Sequence, residues 1–325
     1  MKKPKLVRGG LAFAAIVLLC LLLPAIRPKA ATAYSLIEYY QIYQSEAAGT
    51  RYKSGDYYFY TKMLSDGREQ LYAAKTLKAK GKLLYTTKAE NPHISNLLAN
   101  DTYVYYAVSN AAGTYYVIYR NTLSGSGTAK KLTAVKCNAA GEVLLWNATG
   151  GNLYYTLSAP ADGEQRLYAC KISTGKNTKK ASGLYVEATN GRYLYMSAYA
   201  DEYMLHVFDC KTGKVIARPK KPEMLMSVEK VFVYDDRIYV VTQYQDNTGA
   251  IVRNVFRYKL NGTSRTNVMS TRKDGISIGD VTKTYIYYSE DQGNGTTYYY
   301  AYKQSTKKSA RVKAANYKDT WGGGQ

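Results

Sequence analysis

The chain has 325 residues, 36 tyrosines against only two histidines and two tryptophans, and a formal net charge of +21. Two histidines exclude a zinc centre built on three of them. Four cysteines, one inside an apolar leader, leave an odd number and argue against a disulfide framework.

Residues 1–33 read as an export signal. Lys2, Lys3, Lys5 and Arg8 form a basic start, residues 11–26 are almost wholly apolar, and Ala31-Thr32-Ala33 offers a small-x-small cleavage site. Cleavage after Ala33 is expected. The competing reading is an uncleaved anchor, with the membrane reached only through residues 9–26. Leu19 before Cys20 is too large for a lipoprotein site. The lysine-rich leader and scarce cysteines point to an extracellular or cell-surface protein of a Gram-positive bacterium. Removing the six basic residues of the leader takes the charge from +21 to +15.

Residues 34–53 form a lead-in. Ser35-Leu36-Ile37-Glu38 matches a capping box, and Leu36, Tyr40 and Tyr43 then share one face, so a short helix is expected here.

Residues 54–318 carry a repeat. Tyr60, Tyr105, Tyr154, Tyr195, Tyr239 and Tyr287 each follow an apolar residue and recur every 41 to 49 positions. A second aromatic, at Tyr72, Tyr119, Tyr168, Phe208, Phe256 and Tyr300, follows 12 to 17 residues later. The runs are short, aromatic and β-branched, cut by Gly, Asn and Asp, so strands are predicted rather than helices. Asp162-Gly163 between residues 151–158 and 165–172 is a hairpin turn signal. Lysine-rich third runs (80–87, 129–135, 176–181, 214–219) and apolar fourth runs (94–99, 143–146, 184–188, 228–233) complete each copy. Four strands in about 40–45 residues is a propeller blade, and the six copies predict an all-β, six-bladed β-propeller. A seven-bladed ring using residues 34–53 and the tail after Lys303 is the alternative. Closure is expected to pair residues 311–317 with 50–53, and residues 319–325 are expected to fray.

Leu153-Tyr154-Tyr155 with Leu167-Tyr168-Ala169-Cys170-Lys171-Ile172-Ser173-Thr174-Gly175-Lys176 carries the fullest copy, and Val255-Phe256-Arg257-Tyr258-Lys259-Leu260-Asn261-Gly262 another. This repeat resembles bacterial secreted β-propellers of the low-density-lipoprotein-receptor-like type, often described only as a domain of unknown function. The resemblance spans about Ser54 to Lys318, and no copy contains Tyr-Trp-Thr-Asp, so it bears on fold rather than on function.

No catalytic motif stands out. There is no Gly-x-Ser-x-Gly elbow and no His-Glu-x-x-His. His93 follows Pro92 in a turn, and His206 reads as a packed strand residue. The acids at Asp66, Asp162, Asp201, Asp246 and Asp291 fall in hairpins, where turn chemistry explains them and no calcium loop is formed. The tyrosines read as core residues at strand spacing. Cys137, Cys170 and Cys210 read as free thiols, the latter two as buried fillers. Lysines crowd the third runs (Lys78, Lys80, Lys82, Lys130, Lys131, Lys176, Lys179, Lys180, Lys307, Lys308), where they protect strand edges and present charge to anionic polymers.

The expectation is therefore a monomeric binding or scaffold module that is not an enzyme. Its partner would be an anionic cell-wall polymer, a glycan, or a surface peptide or protein. No nucleic acid, cofactor or metal is implied, and no residue is singled out as a site. An enzyme with acid–base groups in the channel, and electrostatic adhesion without a pocket, are the alternatives.

Overall fold

The computed structural model describes residues 33–34, 38–42, 49–54, 56–100, 102–125, 128–158, 163–198, 201–223, 226–234 and 236–317. Residues 1–32, and with them the expected leader, and the tail from 318 lie outside the described residues.

The chain forms six antiparallel sheets in sequence order, each with four consecutive strands. Sheet one is Gly49–Ser54, Tyr57–Met63, Glu69–Ala74 and Lys82–Thr86; sheet two is His93–Ala99, Tyr103–Ser109, Tyr115–Thr122 and Lys130–Lys136. Sheet three is Glu142–Thr149, Asn152–Ser158, Gln165–Lys171 and Asn177–Ser182; sheet four is Tyr185–Thr189, Tyr193–Ser197, His206–Asp209 and Lys214–Ala217. Sheet five is Ser227–Tyr234, Arg237–Gln245, Ile251–Lys259 and Thr266–Thr271; sheet six is Ile276–Val281, Tyr285–Asp291, Thr297–Lys303 and Lys308–Val312. Two short segments add fifth strands: Glu38–Ile42 pairs with Gly49–Ser54, and Ala33–Tyr34 pairs with Glu142–Thr149. This all-β arrangement, with no α-helix among the described residues, is that expected of a six-bladed propeller.

The tyrosine repeat follows from burial on both faces of the inner sheets of the series. Sheet two turns Tyr106 toward the apolar cluster it shares with sheet one, and Tyr105 toward the cluster it shares with sheet three. Sheet three divides Tyr155 and Tyr154 in the same way. Successive strand residues point to opposite faces, so an apolar-Tyr-Tyr run serves two cores at once. Five clusters among the described residues fill the seams between consecutive sheets, from one–two to five–six.

Within four sheets the third strand supplies an aromatic that stacks across the ladder: Tyr60 on Tyr72, Tyr106 on Tyr119, Tyr155 on Tyr168 and Tyr288 on Tyr300, with centroids 4.9–5.8 Å apart. Each such pair adds about 0.5–1.5 kcal/mol beyond its area. In three of these sheets the stacking residue is one position after the tyrosine picked out by the sequence repeat.

Both outer strands of the blade unit are kinked. In sheets two to six the first strand carries a one-residue bulge, at Ser95, Trp146, Glu187, Glu229 and Gly279. In sheets one to five the fourth strand carries one as well, at Leu84, Leu132, Lys180, Ile216 and Val268. A bulge twists an edge away from further pairing, and these fourth strands are edges.

Three expectations change. The apolar run that was to close each copy is instead the first strand of the following sheet, as in His93–Ala99 paired with Tyr103–Ser109. The lead-in is not helical where it is described, because Glu38–Ile42 and Gly49–Ser54 form an antiparallel pair. The capping-box residues 35–37 lie outside the described residues. Finally, Gly49–Ser54 does not pair with the last strand, because Glu38–Ile42 and Tyr57–Met63 already occupy its two edges.

Candidate functional site

The first strands are the elements that approach one another from sheet to sheet, as between sheets two and three, four and five, and five and six. Their bulges decide which side chains leave the ladder there. Bulges re-aim side chains and recur beside functional sites.

The five bulge positions hold different chemistry. Ser95 donates to the Ala107 carbonyl at 3.3 Å, and the Trp146 indole donates to Thr156 Oγ1 at 2.9 Å. Glu187 accepts a hydrogen bond from the Ser197 hydroxyl. Burial pushes its carboxyl above the usual range, only partly offset by that bond. Glu229 lies 3.2 Å and 3.3 Å from Arg253 Nε through its two oxygens, and Arg253 also donates to Gln243 at 3.2 Å. Two carboxylates at equivalent positions of neighbouring sheets thus have different partners, a serine hydroxyl for Glu187 and a guanidinium for Glu229.

Bulging also frees backbone donors and acceptors, and side chains of neighbouring sheets take them up. Glu69 accepts from Ile94 N at 3.0 Å, and Gln165 accepts from Val186 N at 2.9 Å. Glu69 and Gln165 each open the third strand of their sheet. Asn96 does a similar task for Leu145 N at 2.7 Å, and Lys230 donates to the Ile278 carbonyl at 2.7 Å.

Both histidines are held by carboxylates. His93 Nδ1 is 3.4 Å from Glu69, and His206 Nε2 is 2.6 Å from Asp201. Tyr203 meets the His206 ring edge-on, and Arg218 and Lys220 lie over the Tyr203 ring. The hairpin acids behave as turn residues: Asp66 accepts from Arg68, Asp246 from Thr248 and Ala250, and Asp291 from Gly293. Hydrogen bonds from Arg68 hold the Asp66 carboxyl below its usual range. Among the described residues no group of three His, Cys, Asp or Glu side chains could hold a metal ion, and no helix is long and apolar enough to cross a membrane.

The fourth strands and their turns present the lysines. Lys78, Lys80, Lys130, Lys131, Lys136, Lys179, Lys180, Lys214, Lys307 and Lys308 are exposed, and none has a carboxylate within 4.0 Å among the described residues.

No protein-family model and no curated protein matches the chain. Solved structures do. Dipeptidyl peptidase 4 of Porphyromonas gingivalis superposes with a TM-score of 0.57 at 10% identity, over 86% of this chain and 50% of that one. An uncharacterized protein of Listeria monocytogenes EGD-e gives 0.51 at 9% identity, over 87% of both. An oligogalacturonate lyase in complex with manganese gives 0.47 at 11% identity, over 85% of this chain and 83% of that one. The chain spans half the length of the peptidase.

These neighbours are β-propeller-like folds, and at such identities the fold is what they share. The resemblance to the low-density-lipoprotein-receptor-like type gains no family match. One expectation is overturned: the reading that the chain is not an enzyme does not stand, because dipeptidyl peptidase 4, which shares its fold at a TM-score of 0.57, is an enzyme.

Sequence reasoning named no site residue and passed over Glu187 and Glu229. A signal was available in both. Each is a glutamate directly after a valine, inside the apolar run that leads a sheet, in 184–188 and 228–233. A charge inside an apolar run asks for an explanation.

Proposed function

We propose that the six sheets close as the blades of a six-bladed propeller, exported to the surface of a Gram-positive cell, that binds an anionic polymer of the envelope. The observation that carries this reading is the set of exposed lysines on the fourth strands and their turns that have no carboxylate partner among the described residues. Lysines also protect strand edges. Lys130, Lys131 and Lys136 on one strand, and Lys179 and Lys180 on another, gather several such charges on a single edge.

The test is binding of the full chain, held in mild detergent, to Gram-positive walls with and without their anionic polymers, from low to high salt. Binding is expected to vanish when the polymers are stripped and to fall steeply with salt. A variant with Lys130, Lys131, Lys179 and Lys180 changed to Gln is expected to bind more weakly. Binding that survives both stripping and salt overturns the reading.

A second reading rests on Glu187 and Glu229. Two carboxylates at equivalent bulge positions of neighbouring first strands fit acid–base work on a glycan. Turnover of envelope glycans that is abolished by both Glu187→Gln and Glu229→Gln would support it. Turnover that survives either change would remove it.

A further inference from the structure

Sheet five carries a pocket that neither the lysines nor the first-strand carboxylates use. Its volume is about 380 Å³, near the low end of the range of about 300–1,000 Å³ seen for small-molecule sites. Met226, Phe256 and Asn254 form a buried floor. Half-buried Tyr244 makes a wall, and exposed Pro222, Glu223, Arg265 and Asn267 make the rim.

The floor offers a hydrogen-bonding pair. The side chain of Asn254 makes one hydrogen bond among the described residues, through its carbonyl oxygen, which accepts from Asn267 Nδ2 at 3.3 Å. Its amide nitrogen has no protein partner among them and is not sealed from solvent, so it is available to donate to a ligand in the pocket. Arg265 stands above the Phe256 ring at 5.8 Å and has no carboxylate within 4.0 Å among the described residues. The Tyr244 hydroxyl has no hydrogen-bond partner among them either.

We propose that this pocket binds a single anionic sugar residue, its ring against Phe256 and Tyr244, its hydroxyls on Asn254 and Asn267, and its negative group on Arg265. Each part of the lining selects for such a ligand. Aromatic faces pack against the C–H face of a pyranose. The Asn254–Asn267 pair offers a donor and an acceptor side by side, as neighbouring hydroxyls require. A guanidinium forks onto a carboxylate or a phosphate. Glu223 on the rim repels additional negative charge, so one anionic group is accepted and a polyanion is not.

This site is independent of the outer-strand lysines, and the experiment separates the two. Binding of glucuronate, glucose 6-phosphate, glucose and acetate to the full chain is followed by calorimetry, for the wild type, Arg265→Gln, Asn267→Ala and the four-lysine variant. Glucuronate or glucose 6-phosphate is expected to bind at least tenfold more tightly than glucose, and acetate not to bind. Arg265→Gln is expected to bring the charged sugar to the affinity of glucose, and Asn267→Ala to weaken both. Arg265 and Asn267 are exposed, so both variants are expected to fold. The four-lysine variant is expected to bind the sugars as the wild type does, whatever becomes of its wall binding. Whichever charged sugar binds names the anionic group as carboxylate or phosphate. The proposal is overturned if neither charged sugar binds saturably, if Arg265→Gln leaves the preference intact, or if sugar binding is lost with the lysines.

Discussion

Tyr154 donates its phenolic hydrogen to the main-chain carbonyl of Cys210 at 2.6 Å, a bond that joins sheet three to sheet four across 56 residues of sequence. Asn147 strengthens the same seam by donating to the Gly191 carbonyl at 2.9 Å and lying 3.4 Å from Cys210 Sγ. Burial pushes the Tyr154 phenol up to about 12, so it remains a donor throughout the ordinary pH range. Tyr154→Phe keeps the ring and leaves a buried carbonyl without its donor, which costs about 1–3 kcal/mol. Tyr155 is equally buried but makes no such bond among the described residues. Urea midpoints should therefore fall for Tyr154→Phe and hardly move for Tyr155→Phe; equal effects would place the energy in packing instead.

Gly175 is a second seam device, and its role is steric. It sits at φ +73°, and a Cβ built there would lie 2.1 Å from the Leu132 carbonyl oxygen of the neighbouring sheet. An alanine would meet both the left-handed penalty of about 1–2 kcal/mol and overpacking of about 1–3 kcal/mol. Gly175→Ala is expected to cost roughly 2–5 kcal/mol in a urea titration. Gly151 also has positive φ, at +77°, but has nothing within 4 Å of its added Cβ. Gly151→Ala should show only the backbone part, about 1–2 kcal/mol.

Much of this architecture was legible in the sequence, for a definite reason. Sheets buried on both faces need apolar runs at each strand, and tyrosine satisfies both the apolar ring contact and the occasional bond across a seam, as Tyr154 and Tyr195 do. The third and fourth runs read from sequence therefore coincide with strands such as Lys130–Lys136 and His93–Ala99. What periodicity could not reveal was phase. An apolar run at the end of one copy looks the same whether it pairs backward or forward, and the ladder shows it pairs forward. The bulges were illegible for a related reason: one extra residue in a run of four to eight leaves no compositional mark. Glu187 and Glu229, and the Asn254 pocket, depend on that local geometry and on residues from separate strands.

The cysteines were legible as fillers, and the structure supplies the reason they stay apart. Cys170 belongs to the core between sheets two and three, whereas Cys210 belongs to the core between sheets three and four. They face opposite sides of sheet three and are both buried. Burial pushes the Cys170 thiol up to about 11 and the Cys210 thiol higher still, which removes the reactive thiolate at neutral pH. Alkylation of the native chain followed by mass spectrometry should leave both unlabelled, with labelling at each once urea unfolds the protein. Rapid native labelling of Cys210 would contradict the packed seam.

Glu187 has the opposite signature from a stabilising carboxylate. Its folded pKa is raised above the ordinary value of 4.5 by burial, so the folded state binds its proton more tightly than the unfolded chain does. The associated stability is fully present below about pH 4.5 and is lost as pH rises through the raised folded value. Near neutral pH the ionised group opposes folding, and a neutral amide of the same shape would relieve it. Glu187→Gln keeps a carbonyl oxygen to accept from Ser197 Oγ. The variant should match the wild type in mildly acidic urea titrations and exceed it increasingly toward neutral pH. A difference that is constant with pH would mean that Glu187 titrates alike in both states. A gain that grows with pH would mark it as a group the first strand retains at a cost to stability, as sites of chemistry or binding do.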